Sequence, residues 1–126
     1  MRGSVTESRK ILVVDDNADI RSFLKLALET AGYSVQTATN GEEALALQRK
    51  HPAEILITDI FMPESDGFEL IDAMRSEFPQ VKVVVISGGP KAPTRKYLSD
   101  AALMGVEVTL QKPFDIETLV KALESL

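Results

Sequence analysis

Short runs of aliphatic and β-branched residues alternate along the chain with longer stretches in which apolar residues recur every three or four positions, five times over. The runs at 11–14 (ILVV), 55–58 (ILIT) and 81–86, with its VVVI, are nearly continuous, whereas those at 33–38 (YSVQTA) and 106–110 (VEVTL) alternate apolar with polar residues. Continuous apolar runs suit strands buried on both faces, and alternation suits partly exposed edges. Between the strands, Ile20, Phe23, Leu24, Ala27, Leu28 and Ala31 follow the i, i+3, i+4, i+7 spacing of an amphipathic helix, and Ile116, Leu119, Val120, Leu123 and Leu126 repeat it at the C-terminus. Stretches 41–50, 67–78 and 94–104 supply three more helices, the last with Leu98, Ala101, Ala102 and Gly105 inward. Gly32 and Gly105 are placed to stop the first and fourth helices.

This rhythm of strand and helix predicts βαβ units around a parallel five-stranded sheet. With strands two and five at the edges, the spatial order is 2-1-3-4-5. The predicted fold is therefore α/β, a (βα)5 three-layer sandwich of the flavodoxin-like doubly wound type. Residues 1–8 carry no periodic pattern, and the opening MRGS resembles an expression-vector leader, which leaves 9–126 as one folded domain. A chain of 126 residues has room for one core.

Charge and rare residues narrow the chemistry. Lys and Arg number 14 against 19 Asp and Glu, and a net charge of −5 argues against direct nucleic-acid binding as the main task. With no Cys, thiolate catalysis and Cys-ligated metals are excluded, and the single His51 cannot build a multi-histidine site. No apolar run approaches the roughly 20 residues that span a bilayer, so no membrane partner and a cytoplasmic location are expected.

In an open α/β sheet, ligands bind outside the carboxyl ends of the strands. Asp15 and Asp16 follow strand one, Asp59 strand three, Ser87 strand four and Lys112 strand five. Each has an ordinary explanation on its own: Asp15, Asp16 or Asn17 can cap the first helix, Asp59 and Asp66 flank a Pro63-containing loop, Ser87 opens a Gly88-Gly89-Pro90 turn, and Lys112 can be solvated. Together they are harder to explain structurally, because carboxylates about 4 Å apart repel by about 4 kcal/mol per pair at an effective dielectric of 20. A hard divalent cation offsets that cost. Oxygen ligands without His or Cys suit Mg²⁺, with Mn²⁺ as the alternative, and such a site accepts phosphate oxygens. A carboxylate there can attack phosphorus, while a lysine and a hydroxyl steady the transferring group.

These residues resemble the receiver domain of two-component response regulators, the single-domain chemotaxis type included, over about residues 10–126. The matching pieces are the pair Asp15 and Asp16, the segment Asp59-Ile60-Phe61-Met62-Pro63 followed by Asp66-Gly67, Ser87 at the end of strand four, and Lys112-Pro113-Phe114. The resemblance implies a regulatory phosphoacceptor rather than an enzyme. Asp59 would take a phosphoryl group from the phosphohistidine of a histidine kinase or phosphotransfer protein, or from a small acyl phosphate. Asp16, Asp59 and the Phe61 carbonyl would bind Mg²⁺, with Asp15 acting largely through water. Lys112, Ser87 and the Gly88 backbone would contact the phosphoryl group, Ser87 would swing on activation, and the Lys112-Pro113 bond would be cis. A downstream output domain or target protein would read the surface of the fourth helix, fifth strand and fifth helix, a surface whose use for homodimerisation the sequence leaves open.

The chain departs from the family pattern in places. Thr109 stands at the switch position where an aromatic residue is common, and the stretch 87–105 is longer than expected, with Gly88, Gly89, Pro90 and Pro93. Phe61 and Gly89 flank the phosphoryl position, and neither side chain can position a water, which predicts slow self-dephosphorylation. Two rivals remain on the residues. An aspartyl-nucleophile phosphohydrolase is expected to carry a second aspartate two residues after the nucleophile, where this chain has Phe61. A phosphorylation-independent, receiver-like interaction module would keep the fold and dispense with the chemistry.

Overall fold

A computed structural model describes residues 9–59, 61–62, 65–88, 105–112 and 114–126. The strands β1 (Lys10–Val14), β2 (Ser34–Ala38), β3 (Ile55–Asp59), β4 (Lys82–Gly88) and β5 (Val108–Lys112) form one parallel sheet in the order β2-β1-β3-β4-β5. The order and the two edges agree with the sequence reading. All residues of β3 are buried, as are the four apolar residues of β1, whereas β2 buries only Val35 and Ala38, and Val108, Thr109 and Leu110 of β5 are half-exposed. The apolar runs place β4 and β5 too early: Val81, Val106 and Glu107 lie outside the strands, which extend to Gly88 and Lys112 because backbone pairing continues there, with Ser87 opposite Gln111 and Gly88 opposite Lys112.

Helices α1 (Ala18–Thr30), α2 (Gly41–Lys50), α3 (Gly67–Glu77) and a C-terminal helix (Ile116–Glu124) cover the sheet. Leu24 and Leu28 of α1 and Leu119 and Leu123 of the C-terminal helix pack with Ile11, Val13, Ile57 and Ile86 on one face. Ala44 of α2 and Leu70, Ile71 and Met74 of α3 pack with Leu12, Leu56 and Val85 on the other. This split follows from right-handed crossovers: β2 lies to one side of β1 and β3 to the other, so the winding reverses and the helices fall on opposite faces. The reversal leaves a crevice between the carboxyl ends of β1 and β3.

Local chemistry sets the helix ends. Asn17, rather than either preceding aspartate, caps α1, its side chain accepting from the Ile20 N–H at 3.0 Å. At the other end the Gly32 N–H donates to Glu29 O and the Tyr33 N–H to Leu28 O, a Schellman closure that requires the positive φ of +103° at Gly32. Two positions expected on the inner face of this helix are exposed. Phe23 is 56% exposed and Ala31 is exposed, because the sheet meets the helix along the Leu24–Leu28 line and Phe23 lies about a hundred degrees off it. Gly105 has a positive φ of +78° and is exposed rather than turned inward, while the fourth predicted helix, 94–104, and the leader, 1–8, lie outside the described residues. Buried Gln48 fixes the turn into β3, its amide donating to Ala53 O at 3.0 Å and accepting from the Ala53 N–H at 2.9 Å.

Candidate functional site

β1 and β3 are neighbours in register, Val14 opposite Thr58, so the residues that end them arrive side by side. Asp15 and Asp59 are 3% and 7% exposed, Asp16 is exposed, and a carboxylate oxygen from each lies within 4.8 Å of the other two. The three carboxylates expected to converge therefore do so, at the crevice where the winding reverses.

The surroundings hold Asp15 in place. Its Oδ1 accepts from the Asn17 N–H at 2.9 Å, and its own N–H donates to Ala38 O at 3.2 Å, extending the β1–β2 ladder. The Arg21 guanidinium donates to Asp15 O at 2.8 Å. Sequence reasoning missed Arg21, since an arginine on the second turn of a helix carries no signal until the helix is docked. Buried Thr58 spends its hydroxyl on Asp59 O at 2.9 Å, so it brings no unpaired polar group to the crevice.

The backbone carries the other predicted positions to the same edge. Asp59 is opposite Ile86, which puts Ser87 one residue further along β4, and Gly88 is opposite Lys112, the last residue of β5. Thr109 lies opposite Val85 and is half-exposed. Phe61 begins a two-residue strand, Phe61–Met62, that pairs antiparallel with Ser65–Asp66 directly after β3. Gly89, Pro90, Pro93 and Pro113 lie outside the described residues, and with them the expected cis bond.

The model of the response regulator receiver domain family matches residues 11–124. The chain belongs to this family. Among curated proteins, the receiver domain is 36% identical over 121 residues to the response regulator receiver protein CpdR of Brucella abortus, covering 94% of this chain and 96% of that one. It is 37% identical over 111 residues to the response regulator GtcR of Aneurinibacillus migulanus, covering 86% of this chain but 43% of GtcR, less than half that relative's length. Among solved structures, the chemotaxis response regulator CheY4 of Vibrio cholerae superposes with a TM-score of 0.82 at 34% identity, covering 94% of this chain and 98% of that one.

Receiver domains are regulatory phosphoacceptor domains that bind Mg²⁺ through acidic residues and interact with histidine kinases and output domains. The donor set here fits such an ion: three carboxylates, two of them buried, all hard oxygen, with no imidazole or thiolate in the group. No helix among the described residues is long and apolar enough to cross a membrane.

Proposed function

We propose that this receiver domain is a cytoplasmic phosphorylation switch of a two-component phosphorelay, with Asp59 as phosphoacceptor. The observation that carries the reading is the convergence of the Asp15, Asp16 and Asp59 carboxylates within 4.8 Å at the crevice between β1 and β3. An Asp59 oxygen attacks the phosphorus of a phosphohistidine on a kinase or phosphotransfer protein. The P–N bond breaks, and its electron pair leaves with the histidine nitrogen. Asp15, Asp16 and Asp59, with the Phe61 carbonyl, are the residues that would hold Mg²⁺ or Mn²⁺. The bound ion supplies charge neutralisation for the phosphoryl oxygens. Lys112 pairs with those oxygens, and Ser87 and the Gly88 N–H donate to them.

Ser87 and Thr109 are the switch positions, and the surface built from β5 and the C-terminal helix is read by a partner or output domain and serves as the dimer face. Phe61 and Gly89 offer no side chain to hold an attacking water, so the phosphorylated state outlasts seconds at neutral pH.

Intact-mass spectrometry after incubation with acetyl phosphate and Mg²⁺, with Asp59→Asn in parallel, tests the assignment. A single phosphoryl adduct that requires both Mg²⁺ and Asp59 is expected. Its absence would turn the reading towards a phosphorylation-independent interaction module.

A further inference from the structure

We propose that Glu107 and Arg75 are positioning residues, a clasp at the far end of β5 that sets the strand's register and so the place of Lys112 at the carboxyl edge of the sheet. The inference rests on the phosphoacceptor reading given above.

β5 is an edge strand, paired among the described residues with β4 on one side. A slip of one residue would turn every side chain of such a strand to the opposite face, and buried apolar pattern is what ordinarily prevents it. Among the residues of β5 whose burial is described, two half-buried side chains carry that pattern. Val108 and Leu110 are half-buried against the α1 face, while Thr109, between them, brings no large apolar side chain to the other.

Polar contacts add to that specification. The Glu107 N–H donates to Val83 O at 3.0 Å, and the Val83 N–H donates back to Glu107 Oε1 at 2.8 Å. The carboxylate thus stands where a longer β5 would offer a backbone carbonyl. Arg75, in the last turn of α3, donates to the same Oε1 at 3.0 Å and also to the carbonyl of Gly105, where the chain turns at positive φ into β5. The two side chains are 27% and 26% exposed, so solvent screens the pair less than it would a free surface ion pair. Three elements, α3, β4 and β5, are therefore locked together at one end of the strand. Five residues further, about 17 Å at the strand rise, Lys112 reaches the carboxyl edge opposite Gly88.

The test uses the whole chain with Glu107→Ala, Glu107→Gln and Arg75→Met, each also combined with Lys112→Ala. The readouts are amide hydrogen exchange along β5 and at Val83, and the rate of phosphoryl-adduct formation from acetyl phosphate with Mg²⁺. Glu107→Ala should speed exchange at these amides about 5- to 30-fold and slow adduct formation about five-fold. Glu107→Gln, which keeps an acceptor for the Val83 N–H, should restore both to within about two-fold. Because the clasp acts through Lys112, Glu107→Ala should slow the reaction no further in the Lys112→Ala background. An unchanged adduct rate in Glu107→Ala, or an equal loss with and without Lys112, overturns the proposal while the phosphoacceptor assignment stands. No adduct on the unaltered chain overturns that assignment and takes the proposal with it.

Discussion

Replacing Asp59 by Asn should stabilise the metal-free protein and destabilise the metal-loaded one relative to the unaltered chain. Asp15 and Asp59 are 3% and 7% exposed with carboxylate oxygens within 4.8 Å of each other. Two unit charges at 4.8 Å repel by about 3.5 kcal/mol at an effective dielectric of 20 and by about 0.9 kcal/mol at that of water. Part of this is already offset, because the Asn17 N–H donates to Asp15 Oδ1 and the N-terminus of α1 points its partial positive charge towards the cluster. Removing the Asp59 charge should therefore gain about 1–2 kcal/mol in EDTA, or about 4–8 °C in melting temperature for a domain of this size.

With Mg²⁺ the sign reverses. An ion that binds the native state alone stabilises it by about 2.7 kcal/mol at a hundred times its dissociation constant, and the Asn variant loses a ligand and most of that gain. Urea titrations followed by circular dichroism, in EDTA and in saturating MgCl2, should show the two stability curves changing places. A variant less stable than the unaltered chain in both buffers would mean that Asp59 is held by structural hydrogen bonds rather than strained by its neighbours. A melting temperature of the unaltered protein indifferent to Mg²⁺ would refute the metal site itself.

Other substitutions probe the scaffold. Gln48→Ala leaves the Ala53 N–H and C=O without their partner and should cost about 2 kcal/mol by urea titration. Gly32→Ala should cost about 1 kcal/mol, purely from backbone conformation since an added Cβ meets nothing within 4 Å, and Gly32→Asn should cost less. Contacts with the Thr118 hydroxyl and then its N–H hold the Asp115 carboxyl below the usual 3.8. With the folded value depressed, the charge-linked part of this cap is present above 3.8 and is lost as pH falls through the folded value. The melting-temperature gap between the unaltered chain and Asp115→Ala should accordingly narrow in acid.

The acidic site was legible because it depends on topology more than on detail. Once the continuous runs of β1 and β3 are taken as adjacent buried strands, the residues that end them must meet, whatever the side-chain rotamers. Asp15, Asp16 and Asp59 needed nothing more. Where geometry finer than strand order decides, the sequence was less informative. Phe23 matched the helical period yet faces solvent, since periodicity gives an apolar arc and docking selects the part of it that touches the sheet. The role of Gln48 has no signature in the sequence, because its burial comes from a loop that folds back on it. Arg75 and Glu107 are 32 positions apart and nothing in the sequence pairs them, while the structure brings the Arg75 guanidinium to a carboxylate oxygen of Glu107 at the foot of β5. The division has a physical basis. Residues at the carboxyl ends of the strands are placed by the sheet, which apolar patterning encodes, and those at the opposite end are placed by loops and long side chains, whose closures no local pattern records. A positioning element at that opposite end is thus where such a fold can be tuned without disturbing the carboxylates themselves.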